Sequence, residues 1–166
     1  PENKDTDFIW KEYQSRTNNE LASILGNFIN RTVQFIHKYI GGRIPILPIE
    51  YENIENDIQS IINIFEEKKV TSFDDLKDIL NIGTILNNND QLLFFCLWKG
   101  LKNIENLYKK FRIKDAVMET LNIARAANKY FNDEEPWKSI KVDINKCYKT
   151  LYICSQIAYS LSIVFA

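Results

Sequence analysis

The chain has 166 residues, 45% of them hydrophobic, which fits one globular domain with a sizeable core. Its formal net charge is −1, which excludes the strong positive field that draws proteins non-specifically to nucleic acid. Cys96, Cys147 and Cys154 show no Cys-x-x-Cys spacing, so neither a disulfide framework nor a zinc site is expected. No apolar run approaches the ~18 residues of a membrane span, and we expect a cytoplasmic protein without membrane contact.

The first third of the chain carries one long helical pattern. Before it, the alternation of Phe8 and Trp10 predicts a short strand. Thr17 and Glu20 lie three residues apart and form a capping box, which predicts that the helix begins there. We expect this helix to run to about Ile40, where a Gly-Gly pair ends it.

The middle of the chain predicts two further helices and a break. Residues 54–65 have helical spacing of isoleucine and phenylalanine, and Ser72 with Asp75 is expected to cap a shorter helical piece. Residues 87–90, Asn-Asn-Asn-Asp, are expected to form a turn. The continuous apolar run at 92–98 must be covered on all sides, which favours burial in the core over binding to a partner.

The last third of the chain is also helical in pattern. A helix with a face of small residues is predicted over 113–130, followed by a turn at 132–135. Pro136 suits the first position of a new helix, and a final helix is expected from about Asp143. Because little strand signal remains, the predicted fold is all-α, a bundle of about five helices.

The strongest candidate binding residues lie on the first helix. Asn27 and Arg31 are four residues apart and share a helix face. Amide and guanidinium groups make forked hydrogen bonds and suit the edge of a nucleobase, and Trp137 could supply a stacking surface. Polar residues beside a core usually just face water. Trp137 could instead cap the end of the core, and Arg31 could pair with a surface acid.

Two stretches resemble the anticodon-binding domain of methionyl-tRNA synthetases. Residues 25–31, Leu-Gly-Asn-Phe-Ile-Asn-Arg, resemble the first helix of that domain. Residues 124–130, Ala-Arg-Ala-Ala-Asn-Lys-Tyr, followed by Pro136 and Trp137, resemble its later Ala-Arg-x-x-Asn-x-Tyr and Pro-Trp signature. The resemblance implies a helical bundle of the type that class I synthetases use to bind anticodons.

The resemblance also implies a domain organisation. Residues 1–16 resemble the end of the stem-contact region that precedes the bundle in this family, so the anticodon-binding domain is expected over residues 17–166. Family members generally need fewer residues in the middle of the bundle. We therefore expect an insertion at about residues 70–100.

The resemblance implies particular roles for the candidate residues. Trp137 is expected to stack on the first base of the anticodon CAU, a cytosine, while Asn27 and Arg31 hydrogen-bond to it. The residues expected to support this site are Pro136, Asn128 and Tyr130. From its place among small residues, Asn128 is more consistent with a structural hydrogen bond than with a base contact.

The implied parent enzyme joins methionine to its tRNA using ATP. Its own catalytic domain would hold ATP and Mg²⁺, because the chain has no catalytic signature, metal cluster or phosphate-binding loop. The implied partners are a methionine tRNA with a CAU anticodon and that catalytic domain. Two alternatives stay open: a free-standing helical interaction module without catalysis, and the matching domain of a cysteine, valine or isoleucine enzyme.

Overall fold

The computed structural model describes residues 8–76, 79 and 85–164. Within these ranges it contains helices and no strand, which confirms the all-α fold class. In chain order the elements are α1 (Trp10–Arg16), a π-helical segment (Thr17–Gly26), α2 (Asn27–Ile40), a 3₁₀ turn (Ile49–Tyr51), α3 (Ile54–Glu67), α4 (Phe73–Leu76), α5 (Asn88–Lys109), α6 (Ile113–Glu134), α7 (Pro136–Val142) and α8 (Ile144–Val164). None of these helices is long and apolar enough to cross a membrane.

The first continuous helix, which consists of α1, the π-helical segment and α2, begins earlier than the sequence pattern predicts. Helical structure starts at Trp10, so the predicted strand at Phe8 and Trp10 is wrong. The predicted helix start at Thr17 is also wrong, because the Thr17 hydroxyl donates to the Tyr13 carbonyl at 2.9 Å inside a continuing helix. The aromatic rings of Phe8, Trp10 and Tyr13 pack on one another with centroids 5.0–6.2 Å apart, and this local cluster accompanies the early start.

The C-terminal end of this first helix lies where the sequence predicts it. α2 ends at Ile40 as predicted, and Gly41 and Gly42 follow with φ of 73° and 79°. Positive φ favours glycine, and the Gly42 N–H donates to the Ile36 carbonyl at 3.2 Å, as in a Schellman motif. Because helical structure continues from residue 16 into residue 17, the backbone does not mark the expected domain boundary, which stays a prediction.

The segment predicted as a turn at 87–90 is instead the start of α5. Asn87 is the N-cap residue, and its side-chain oxygen accepts from the Asp90 N–H at 2.9 Å. The Asp90 carboxylate accepts from the Asn87 N–H at 2.8 Å, which completes a capping box. The expected insertion at 70–100 therefore includes α4 and the first half of α5, and part of it lies outside the described residues.

The bundle core lies between α2, α3, α5, α6 and α8. α5 and α6 pack against each other along most of their length, and Gly100 allows the close approach at Ile123. The apolar run at 92–98 enters this core as expected: its centre is buried at Leu93, Phe94 and Phe95. Its flanking residues are half-buried.

The corner between α6 and α7 lies later than predicted. Residues 132–134 continue α6, so the predicted turn at 132–135 is wrong except for Glu135. Glu135 adopts the left-handed conformation, with φ of 46° and ψ of 58°, and turns the chain in one residue. Pro136 then occupies the first position of α7, as predicted, and α8 begins at Ile144.

Candidate nucleic-acid interface

Two side-chain hydrogen bonds join α2 to α6 near the surface. The Asn27 amide nitrogen donates to Asn128 Oδ1 at 3.2 Å, and Arg31 Nη2 donates to Asn132 Oδ1 at 2.7 Å. Both bonds span 101 positions, so the two helices run in the same direction in matching register. This pairing fixes Asn27 and Arg31 one helical turn apart, as the sequence spacing predicts.

An aromatic side chain connects Arg31 to Trp137. The Arg31 guanidinium carbon lies 4.6 Å from the centroid of the Phe131 ring, within the range of a cation–π interaction. The Trp137 ring packs on Phe131 with centroids 6.1 Å apart and ring planes 39° apart. Trp137 keeps 39% of its surface exposed, so its indole remains accessible to a ligand. We call Asn27, Arg31, Phe131, Asn132 and Trp137 the polar–aromatic patch.

The chain direction at the α6–α7 corner places Trp137 against Phe131 of α6. Glu135 is a non-glycine residue in the left-handed region, which persists only where surrounding contacts hold it. Pro136 is buried, and its carbonyl accepts from the Ser139 hydroxyl at 3.4 Å and the Cys147 thiol at 3.6 Å. The Cys147 contact binds the first turn of α7 to α8, and Trp137 follows in that turn.

Asn128 has a mainly structural role in this arrangement. Its amide nitrogen donates to the Ile24 carbonyl at 2.8 Å and to the Ala124 carbonyl at 3.0 Å, while its oxygen accepts from Asn27. Ile24 belongs to the π-helical segment, whose wider turns change the carbonyl partners relative to an α-helix. The half-buried amide therefore joins α6 to the turn that precedes Asn27.

Tyr130 does not belong to the polar–aromatic patch. It is buried, and its hydroxyl donates to Asp90 Oδ1 at 2.7 Å. Burial and the nearby Asp90 charge hold the pKa of this phenol well above its usual value. Lys149 Nζ donates to the other Asp90 oxygen at 2.5 Å. Tyr130 thus connects α6 to a buried charged network at the N-terminal ends of α5 and α8.

Sequence reasoning missed Phe131 and Asn132. Phe131 is 3% exposed and reads as an ordinary core residue, so no sequence signal distinguishes it. Asn132 had a usable signal: it follows Asn128 by four residues, as Arg31 follows Asn27, so the two pairs form matching ladders. Its polar neighbours instead predict a turn at this position.

The charges around the patch are largely compensated. Lys138 lies 2.7 Å from Glu135, and Lys129 pairs with Asp133 at 2.5 Å. In the described part of the chain, no three His, Cys, Asp or Glu side chains lie close enough together to hold a metal ion. The patch therefore offers an aromatic face, an amide and a guanidinium rather than a strong electrostatic field.

Comparison with known proteins identifies the class. A family model described as "tRNA synthetases class I (M)" matches residues 1–33. The chain is 34% identical over 164 residues to a methionine–tRNA ligase of Methanobrevibacter smithii, and 36% and 32% identical to those of Christiangramia forsetii and Phocaeicola vulgatus. Each alignment covers 99% of this chain, which spans about a fifth of the length of these curated relatives, 18–19%.

These matches make the chain a class I tRNA synthetase segment. Within that class it belongs to the methionine–tRNA ligase family, since members of that family match it almost from end to end.

Proposed function

We propose that the polar–aromatic patch binds the anticodon of a methionine tRNA, and that this chain is the anticodon-binding domain of a methionine–tRNA ligase. The observation that supports this most directly is that Arg31 and Trp137, distant in sequence, pack against the same Phe131 ring. The family relationship supports tRNA as the partner.

The first anticodon base stacks on Trp137 in this proposal. Stacking of a base on an aromatic side chain is worth ~1–3 kcal/mol and is tolerant of base identity. The indole is accessible, and Phe131 supports it from behind, so little side-chain freedom has to be lost on binding. Stacking accordingly supplies affinity, and the polar groups beside it supply the choice of base.

Selection of cytosine follows from the donors and acceptors that Arg31 and Asn27 contribute to the patch. The Watson–Crick edge of cytosine presents two acceptors, O2 and N3, beside an amino donor. Arg31 uses Nη2 to bind Asn132 and can offer its other N–H groups to the two acceptors. Asn27 donates through its nitrogen to Asn128, which leaves its Oδ1 to accept from the amino group.

The parent enzyme in this proposal attaches methionine to tRNA with a CAU anticodon. ATP and Mg²⁺ are held by its own catalytic domain, and this segment serves binding rather than bond chemistry. The partners of this chain are then the tRNA and that catalytic domain.

The test is to bind RNA hairpins to the chain in a Trp10→Phe/Trp98→Phe background, in which Trp137 is the only tryptophan. A hairpin with a CAU loop should quench its fluorescence more strongly than one with GAU. Trp137→Ala should weaken binding of the CAU hairpin roughly tenfold to a hundredfold, the equivalent of ~1–3 kcal/mol of stacking.

The same substitution in the intact enzyme separates recognition from chemistry. Trp137→Ala should lower kcat/KM for charging of tRNA by a similar factor, while methionyl-adenylate formation stays at the wild-type rate. Trp98→Phe is the matched control, because Trp98 packs on Phe65 and Phe95 in another part of the bundle. Undiminished charging by Trp137→Ala would exclude anticodon binding at this patch.

A further inference from the structure

A buried carboxylate lies directly before the corner that carries Trp137. Glu134 is the last residue of α6 and is only 3% exposed. Its Oε1 accepts from the Asn89 amide at 2.7 Å, and the Asn87 amide lies 3.2 Å and 3.3 Å from its two oxygens. Lys146 of α8 lies 3.3 Å from Oε2. One side chain at the end of α6 is therefore held by the start of α5 and the start of α8.

Asn87 uses both ends of its amide in this contact. Its oxygen accepts from the Asp90 N–H as the helix cap of α5, and its nitrogen donates to Glu134. The Asn-Asn-Asn-Asp stretch at 87–90 thus has a second role besides capping. It binds the end of the neighbouring helix at the residue where that helix changes direction.

The backbone immediately after Glu134 needs such an anchor. Glu135 has φ of 46°, a conformation that costs a non-glycine residue of order 1–3 kcal/mol and persists only where its surroundings hold it. On one side the corner is held by the buried Pro136, and on the other by the Glu134 carboxylate. If either contact is lost, the direction of α7 and the position of Trp137 are free to change.

We propose that Glu134, held by Asn87 and Asn89, is a positioning residue that fixes Trp137 for base stacking. This inference depends on the proposed anticodon function. Glu134 is buried and acts through the corner, so it contacts no base itself. Binding of RNA should accordingly depend on the amide–carboxylate pairing rather than on the charge of Glu134.

A reciprocal exchange of groups tests the pairing. Glu134→Gln keeps one acceptor for Asn89 but replaces the other oxygen by an NH2 group that faces the Asn87 amide and Lys146. Asn89→Asp sets a second carboxylate against Glu134. Each single variant should weaken binding of the CAU hairpin about tenfold and reduce discrimination against GAU, because small misplacements of binding groups are costly. The double variant N89D/E134Q restores one amide facing one carboxylate and should bind within about threefold of the wild type.

The chain supplies a matched control on the same two helices. Asn103 of α5 donates to Glu119 of α6 at 3.1 Å, and Asn122 donates to the other Glu119 oxygen at 3.1 Å. Glu119→Gln therefore makes the same chemical change far along the helix from the corner and should leave hairpin binding unchanged. Ile153→Val, in the core of α8, should lower the unfolding midpoint without changing binding, which controls for stability.

The outcomes separate the two proposals. The positioning role is overturned, with the anticodon proposal intact, if Trp137→Ala weakens binding of the CAU hairpin but Glu134→Gln binds it as tightly as the wild type. The same follows if the double variant binds the hairpin no more tightly than the single variants. If Trp137→Ala also fails to weaken binding of the CAU hairpin, the anticodon proposal itself is overturned. If Glu134→Gln does not fold, Asn89→Ala keeps the test, because Asn89 is only half-buried and Glu134 retains Asn87.

Discussion

At the scale of single residues, the least expected feature is an ion pair inside the bundle. The Asp90 and Lys149 side chains are 0% and 4% exposed, and Asp90 also accepts from the Tyr130 hydroxyl and the Asn87 N–H. Removing two charges from water is expensive, and their attraction compensates only when the remaining hydrogen-bonding positions are filled. Here three contacts, from Lys149, the Tyr130 hydroxyl and the Asn87 N–H, satisfy both carboxylate oxygens, and they join α5, α6 and α8 at one point.

This network predicts a large asymmetry between lysine substitutions. Lys149→Met leaves the Asp90 carboxylate buried without its counter-ion and should lower the free energy of unfolding by ~3–5 kcal/mol. Lys109→Met, which removes an exposed partner of Glu105, should change it very little. Urea denaturation followed by circular dichroism measures both. Equal stability of the two variants would mean that the pair is not buried in solution.

At the scale of helices, the contact between α5 and α6 depends on a glycine. A Cβ added at Gly100 would lie 2.7 Å and 2.8 Å from two side-chain carbons of Ile123, closer than real Cβ contacts. Ile123 is itself buried in the core and has little room to move. The glycine therefore sets how closely the two longest helices of the described structure approach.

Gly100→Ala should consequently destabilise the protein although alanine favours helix. We expect a loss of ~1–3 kcal/mol from overpacking, larger than the gain of up to ~1 kcal/mol in helix propensity. Gly26→Ala is the control, because its added Cβ meets only a backbone oxygen at 3.8 Å. Thermal unfolding should show a lower midpoint for Gly100→Ala alone; an unchanged midpoint would contradict the close approach.

Helix ends that depend on local chemistry could be predicted from the sequence. The glycine pair after Ile40 and the proline at residue 136 act through their own backbone preferences, and both ends are where they were expected. The Ser72 and Asp75 cap is also confirmed, with Ser72 N–H donating to Asp75 at 2.9 Å. In each case the signal lies within a few residues of the feature.

Features that depend on distant partners could not be predicted in this way. α6 continues through Asn132 and Glu134 because their side chains are held by Arg31 and by Asn87, which belong to other helices. Polar residues in such a position look like a turn when only neighbours in sequence are considered. The same limit explains why Phe131, the residue that joins Arg31 to Trp137, escaped detection.

At the scale of the whole molecule, α8 connects the two sides of the bundle. Near its start it holds Asp90 through Lys149, and one turn later the Tyr152 hydroxyl donates to Glu55 of α3 at 2.6 Å. Glu55 lies in the first turn of α3. α3 and the α5–α6 pair therefore both contact α8. A change at the Tyr152 contact should consequently alter the free energy of global unfolding.

The Tyr152 contact predicts a dependence of stability on alkaline pH. The hydrogen bond to Glu55, and then burial, raise the pKa of Tyr152 from 10.0 to about 12. Because the folded-state pKa is raised, the neutral phenol stabilises the fold fully below pH 10, and this contribution is lost as pH rises from 10 toward 12. Tyr152→Phe should therefore be less stable than wild type below pH 10, with the difference shrinking across that interval.

Tyr159→Phe, which alters an exposed ring on the same helix, should show no such pH-dependent difference. Chemical denaturation of the three proteins at a series of pH values measures it, and a constant gap between wild type and Tyr152→Phe would show that the phenol does not donate to Glu55.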